Sequence, residues 1–262
     1  RVWSQQNQDS KFKTGVLHIL AAHSGPETAA DARTHFGIFS PQVWKLFPRG
    51  QIINLSFWDY NDVAPGYFAA AEIAAREKKV GIIVIEVARP DLPVADRNTF
   101  ADTDVRAAAK GLNVIRDFAA GPRHGYVVCQ GAYATFNTVK VLSKLAQAGV
   151  NVKVLAAVSE ELFDRQPEAY RRSVLPVGAK QDMMFVTGGT RRVWPLRNVG
   201  AQADDYSLTA DWDNQWLTGG LESDVIAEAH LDPDSVFAGI KRFADDRTSR
   251  LRAQRAALES LE

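Results

Sequence analysis

The sequence predicts an α/β protein of two units, each with a mostly parallel sheet flanked by helices. Three observations carry this expectation. Short apolar runs rich in Val, Ile and Leu read as strands buried on both faces. They alternate with Ala-rich or amphipathic stretches long enough for helices, the order that produces parallel sheets. The alternation stops near residue 89 and restarts near residue 111.

The chain begins at Arg1, not Met, as expected of a processed chain or a piece of a longer one as much as of a native start. After a polar leader, residues 15–22 (GVLHILAA) predict a buried strand. Residues 23–36 are small, polar and turn-rich and read as a loop. PQVWKLF (41–47) predicts a short helix with Pro at its start. The turn Pro48-Arg49-Gly50 leads into a strand, QIINLSF. Asp59 or Asn61 caps an Ala-rich helix reaching about Lys79, and VGIIVIEVA (80–88) is the clearest buried strand. Residues 89–106 hold two Pro, four Asp and three Arg without apolar periodicity, so we expect a linker there.

The second unit opens with an edge strand at 111–118. GYVVCQG, VNVKVLAAV and DMMFVTG then predict strands, separated by helices at 132–149 and 160–172. Residues 224–243 read as one or two helices and 244–262 as a charged, solvent-facing helix. The expected organisation is therefore 1–90, a linker at 91–110, and 111–262.

Composition narrows the function classes. The 262 residues carry 31 basic and 31 acidic side chains, a net charge of zero, so no nucleic acid and no anionic membrane surface is expected as partner. No apolar run is long enough for a bilayer span, and no secretory signal is apparent. Cys129 is the only cysteine, which excludes an internal disulfide and suits a reducing, cytoplasmic setting. No GxSxG elbow or GxxxxGK[ST] phosphate loop occurs.

The chemistry-bearing residues gather in the loop from Ala22 to Gly37, which contains His23, Glu27, Asp31, Arg33 and His35. It follows a parallel strand, and ligands of open α/β folds bind at carboxyl ends. By spacing alone it is either a proton-transferring, anion-holding site or a polar loop with ordinary hydrogen-bonding histidines. His-x11-His is no specific metal spacing, and no metal site is expected. Arg89 ends its strand at the same edge, either as an anion-binding guanidinium or as a salt-bridge partner of Asp91 or Asp96. Thr187-Gly188-Gly189-Thr190 reads as an anion-holding turn or a plain one. Trp194, Trp212 and Trp216 lack an accompanying basic stripe and read as packing residues.

Four segments resemble the transketolase family. Phe163-Asp164-Arg165-Gln166-Pro167-Glu168-Ala169-Tyr170-Arg171-Arg172-Ser173-Val174-Leu175-Pro176 is similar to the C-terminal-domain signature F-D-x-Q-x-x-x-Y-x-x-S-V-L-P. His23, Asp31, Thr34 and His35 fall on the family's A-T-H-D…G-E-D-G-P-T-H-Q-P without a gap. Trp58-Asp59-Tyr60-Asn61-Asp62-Val63 resembles A-D-x-N-E-V, and Ala88-Arg89-Pro90-Asp91-Leu92-Pro93 resembles S-R-Q-x-L-P.

The resemblance implies the second half of a thiamine-binding pyrimidine domain followed by a transketolase C-terminal-like domain. It implies transfer of a two-carbon ketol unit from a ketose (phosphate) to an aldose or aldehyde. Thiamine diphosphate and Mg²⁺ would be bound mainly by parts outside this chain: N-terminal domains or a separate N-terminal subunit, in a homodimer of the whole assembly. By resemblance His23 contacts the sugar, Asp31 binds a sugar hydroxyl, Arg89 binds the sugar phosphate, and His35 sits near cofactor and reacting carbonyl. His35 and His23 are the implied catalytic residues. The family's catalytic glutamate and pyrimidine pocket are not found in this sequence. Ser24 replaces an acid, Ala32-Arg33 replaces Gly-Pro, and of I-D-R-F-G only Asp211 remains, so an altered acceptor such as a short aldehyde stays open. The alternative function is a non-catalytic paralogue that binds a partner or metabolite.

Overall fold

The structure, a computed structural model, describes residues 1–30, 34–35, 37–211 and 215–261. Helix α1 (Val2–Asp9) precedes β1 (Leu17–Ala21), α2 (Ser40–Val43), β2 (Ile52–Ser56), α3 (Tyr60–Arg76) and β3 (Ile82–Glu86). The three strands form one parallel sheet in the order β1-β3-β2. The Asp59 carboxylate caps α3 by accepting from the Asn61 N–H at 3.3 Å. Its buried residues Asp62, Gly66, Ala70 and Ala74 recur every fourth position, a stripe that faces Ile53, Leu55 and Ile83. On the other face Trp3 of α1, with Trp44 and Phe47, covers Ile52, Ile82 and Val84.

The second sheet comprises β4 (Leu112–Arg116), β5 (Tyr126–Gln130), β6 (Lys153–Ala157), β7 (Met183–Thr187) and β8 (Leu208–Thr209), in the order β4-β6-β5-β7-β8. Strand β4 is an edge strand, as its sequence predicts, and runs antiparallel to β6; the other pairs are parallel. Around it in chain order lie α4 (Ala132–Gln147), α5 (Glu160–Asp164), α6 (Glu168–Val174), α7 (Gln202–Tyr206), α8 (Glu222–Glu228), α9 (Pro233–Asp245) and α10 (Arg247–Glu259). Helices α4, α8 and α9 cover the Val127–Cys129–Met184 face, while α5, α6 and α7 cover the Val128–Leu155–Phe185 face. Among the described residues no helix is long and apolar enough to cross a membrane.

Several local readings change. The helix expected over 160–172 is two, because Pro167 has no N–H to continue the first. The loop over 23–36 contains a 3-10 turn at Pro26–Ala30. Residues 89–106 contain a turn at Arg97–Thr99, and a second follows at Val105–Lys110, packed on α3. The F-D-R-Q segment lies where the two sheets meet. Asp164 pairs with Arg49 at 2.6 Å, Arg165 with Glu77 at 2.8 Å, and the neighbouring Glu160 with Lys45 at 2.7 Å. The Ser56 N–H donates to the Val158 carbonyl at 2.7 Å, tying the end of β2 to the end of β6.

Arg97 is the buried fastener of the connecting segment. Its guanidinium donates to Asp59 at 2.9 Å and to Asp62, with the Trp58 ring 5.9 Å away. Asn113 Nδ2 of β4 donates to the same Asp62 at 3.1 Å. Burial pushes the Asp62 carboxyl up to about 6, even with Arg97 opposing it. Removing the cation strands two buried carboxylates. Arg97→Ala is therefore expected to lower stability by about 3–5 kcal/mol in urea denaturation, the usual cost of breaking a buried pair from one side; a loss under about 1 kcal/mol would contradict this role.

Candidate functional site

The site grows from the register of two neighbouring strands. Ala21 of β1 lies opposite Glu86 of β3, and the Val87 N–H donates to the Ala21 carbonyl at 3.1 Å. Residues just beyond these ends therefore emerge side by side. Arg89 Nη1 lies 3.1 Å from His23 Nε2. A guanidinium only donates, so His23 Nε2 is the acceptor in this contact. The His35 ring lies 5.7 Å from that of His23, tilted by 53°, and is exposed. Thr34 Oγ1 is 3.3 Å from His35 Nδ1, and Thr28 Oγ1 donates to the His35 carbonyl at 3.2 Å. Gly37 permits this return of the loop, since a Cβ there would overlap the His23 carbonyl oxygen.

The structure thus brings His23, His35 and Arg89 together. Asp31, with Arg33 and Phe36, lies outside the described residues. Arg89 also borders a cleft of about 230 Å³ lined by Trp58, Tyr60, Val63, Pro90 and Leu92. One guanidinium beside two imidazoles can hold an anion and direct a hydrogen bond at a substrate oxygen. Among the described residues no group of three or more His, Cys, Asp or Glu is placed to hold a metal ion.

Two buried carboxyls lie next to this cluster: Glu27, one of the two acids of the loop in the sequence, and Glu86, which the sequence reading missed. Glu86 ends β3; its oxygens accept from Ser24 Oγ and, at 3.0 Å, from Trp44 Nε1, and burial raises its pKa. Burial pushes Glu27 up to about 8, so it is mostly neutral at pH 7. The available signal was Glu86 itself, the one charge inside an otherwise apolar GIIVIEVA run.

The remaining motifs have structural roles. Gly188 and Gly189 form the seat on which the first unit rests. A Cβ on Gly188 would lie 3.3 Å from Pro26 Cδ and 3.4 Å from Gly25 Cα, and one on Gly189 would overlap the Gln42 amide. Asp211 accepts from Thr190 Oγ1 at 2.6 Å and from the Arg191 N–H at 3.0 Å, bracing the same turn. Trp194 stacks on Phe185 at 5.1 Å and Trp216 meets Phe39 edge-on at 5.2 Å, while Trp212 lies outside the described residues. Cys129 is fully buried, and burial pushes its thiol up to about 12, which leaves it inert.

Residues 116–208 match the transketolase-like TK C-terminal domain. The chain is 27% identical to the chloroplastic transketolase of Zea mays over 232 residues, which cover 88% of this chain and 31% of that protein. A transketolase mutant from Pichia stipitis superposes on 88% of this chain with a TM-score of 0.65 and 17% identity, using 30% of its own length. A split gene transketolase, described as an inactive beta4 tetramer, covers 90% of this chain with a TM-score of 0.59 and 13% identity, over 71% of its own length. The chain spans about three tenths of the curated relatives it matches. The second sheet thus carries the transketolase-like C-terminal domain match, and transketolase relatives align across both sheets.

Proposed function

We propose that this chain is the C-terminal part, or a C-terminal subunit, of a transketolase-like enzyme. The reaction is transfer of a two-carbon ketol unit from a ketose phosphate to an aldose or aldehyde. The observation that supports it most is the meeting of His23, His35 and Arg89 at the ends of β1 and β3. In this reading residues 1–90 are a partial pyrimidine-binding domain, 91–110 connect, and 111–262 are the C-terminal domain. The Cys129 thiol, buried and inert, fits a cytoplasmic setting.

Thiamine diphosphate supplies the carbanion-stabilising chemistry of the family when bound. The described residues of this chain do not form a complete site for it, since they offer no ligand cluster for Mg²⁺. We therefore assign diphosphate and metal to preceding domains or to a separate N-terminal subunit. What this chain supplies is substrate handling. Arg89 holds the sugar phosphate by charge-assisted hydrogen bonds, with His23 beside it as contact to the sugar. Asp31 binds a sugar hydroxyl. His35 faces the cofactor and donates a hydrogen bond to the oxygen on which negative charge develops.

The first strand leaves a place for the missing part. Odd-numbered residues of β1 bond to β3, from the Leu17 N–H on Gly81 to the Ala21 carbonyl, so His18 and Leu20 direct their backbone groups outward. Leu20 is 67% exposed and Phe68 of α3 is 63% exposed. Such an edge is a template for another strand, which we assign to the N-terminal portion of the assembly.

Four outcomes are expected. Calorimetry of the isolated chain with Mg²⁺ and thiamine diphosphate should show no sub-micromolar binding, an affinity that corresponds to more than about 8 kcal/mol; tight binding would overturn the division of labour. Light scattering of the isolated chain should give a mass above 28.8 kDa, and a stable monomer of that mass would remove the case for an uncovered edge. In the complete assembly His35→Ala should lower kcat by roughly 10²-fold with little change in Tm. Arg89→Ala should mainly raise KM, and only for phosphorylated substrates. Unchanged kcat with a much lower Tm in His35→Ala would make that histidine structural.

A further inference from the structure

The His23–Arg89 cluster sits where strands end. A different cleft, of about 330 Å³, opens at the amino end of the second sheet, where Tyr126 begins β5. Arg123, in the turn before the strand, and Arg247, at the start of α10, line it together with Tyr126. Strand β5 runs from this cleft to Gln130 in the junction, so its full length separates the two places.

Each of these three side chains is held in position and still lacks a protein partner for its donors. The Arg123 guanidinium lies over the Phe118 ring, 4.8 Å from its centroid, and that ring meets Tyr126 edge-on at 5.2 Å. Stacking orients a guanidinium and leaves its in-plane N–H donors open. Among the described residues Arg123 makes no side-chain hydrogen bond and no ion pair. Arg247 is anchored through Nε, which donates to Asp182 at 2.7 Å, while its two terminal nitrogens have no acceptor among the described residues. Tyr126 is half-buried, and its hydroxyl has no hydrogen-bond partner there either. Burial raises its pKa against the pull of both guanidiniums, so the phenol remains a donor at neutral pH.

The charge balance around the cleft is positive. Asp182, the acid that lines it, accepts from Arg247 and also from Arg250 Nη1 at 2.9 Å. Two cations thus share one carboxylate, and Arg123 is left uncompensated. Asp117, the other acid near Tyr126, is exposed and lies 3.5 Å from Lys153. Pro176, Ala179 and Leu251 give the cleft an apolar wall.

We propose that this cleft binds a phosphorylated small molecule, with Arg123, Arg247 and the Tyr126 hydroxyl donating to its phosphate and Pro176, Ala179 and Leu251 against its carbon skeleton. The donors come from three elements, the turn before β5, β5 itself and α10. A phosphate monoester offers three terminal oxygens pointing in three directions, whereas a carboxylate offers two in one plane. The volume suits a metabolite, and the zero net charge of the chain gives no general attraction for a polyanion. Such binding is independent of ketol transfer.

Amide chemical shifts of the full chain, followed as inorganic phosphate is titrated at constant ionic strength, test this. Amides of residues 123–126 and 247–251 should shift together and saturate at millimolar phosphate. Arg123→Ala, on an exposed turn, should weaken that binding by about tenfold, as expected for loss of one charged donor, with Tm unchanged. Arg247→Ala should weaken it similarly, since Arg250 still holds Asp182 in place. Arg89→Ala, which removes the other candidate phosphate contact, should leave these shifts as they are. The absence of saturable shifts in the wild-type chain would overturn the proposal, and so would unchanged affinity in Arg123→Ala. Acetate binding at these residues as tightly as phosphate would reduce the cleft to a patch of charge and overturn the phosphate assignment.

Discussion

The structure depends on one close approach, in which the carboxyl ends of two parallel sheets meet with almost no side chain between them. Gly188 and Gly189, at the end of β7, lie against Gly25-Pro26 and Gln42 of the first unit. Any Cβ at this seat would hold the units apart. The backbone bond from Ser56 to Val158 and the Lys45–Glu160 pair fix the same junction from the side. Exposed pairs such as Arg49–Asp164 add little energy, but they favour one orientation over others. Because carboxyl ends are where α/β sheets present their loops, this packing also concentrates the chemistry of both units in one place.

Within the junction two kinds of polar group are handled differently. The cluster of His23, Arg89 and His35 lies at the exposed carboxyl ends of β1 and β3. Glu27 and Glu86 face inward, where burial favours their neutral forms.

The connecting segment is as firmly held as the sheets. Arg97 takes carboxylates from both ends of the first turn of α3, and Asn113 extends the network into β4. This network ties the segment around Arg97 to α3 and to the second sheet. By contrast, among the described residues β1 pairs with a strand only on its β3 side.

Much of this was legible in the sequence. Apolar runs of strand length, Gly and Pro punctuation and the strand–helix order determined both sheets, because burial on two faces leaves a continuous apolar signal. The loop with His23 and His35 and the strand-end position of Arg89 were readable for the same reason, since local order alone places them at carboxyl ends. Tertiary structure alone decided the rest. That β1 neighbours β3, and so that His23 meets Arg89, is a matter of strand order, which no local pattern encodes. The roles of Gly188-Gly189, Arg97 and Glu27 depend on what packs against them from distant parts of the chain. A glycine pair reads as a turn, an arginine among aspartates as a solvated linker, and a glutamate in a polar loop as exposed, until packing excludes water and leaves each with specific neighbours.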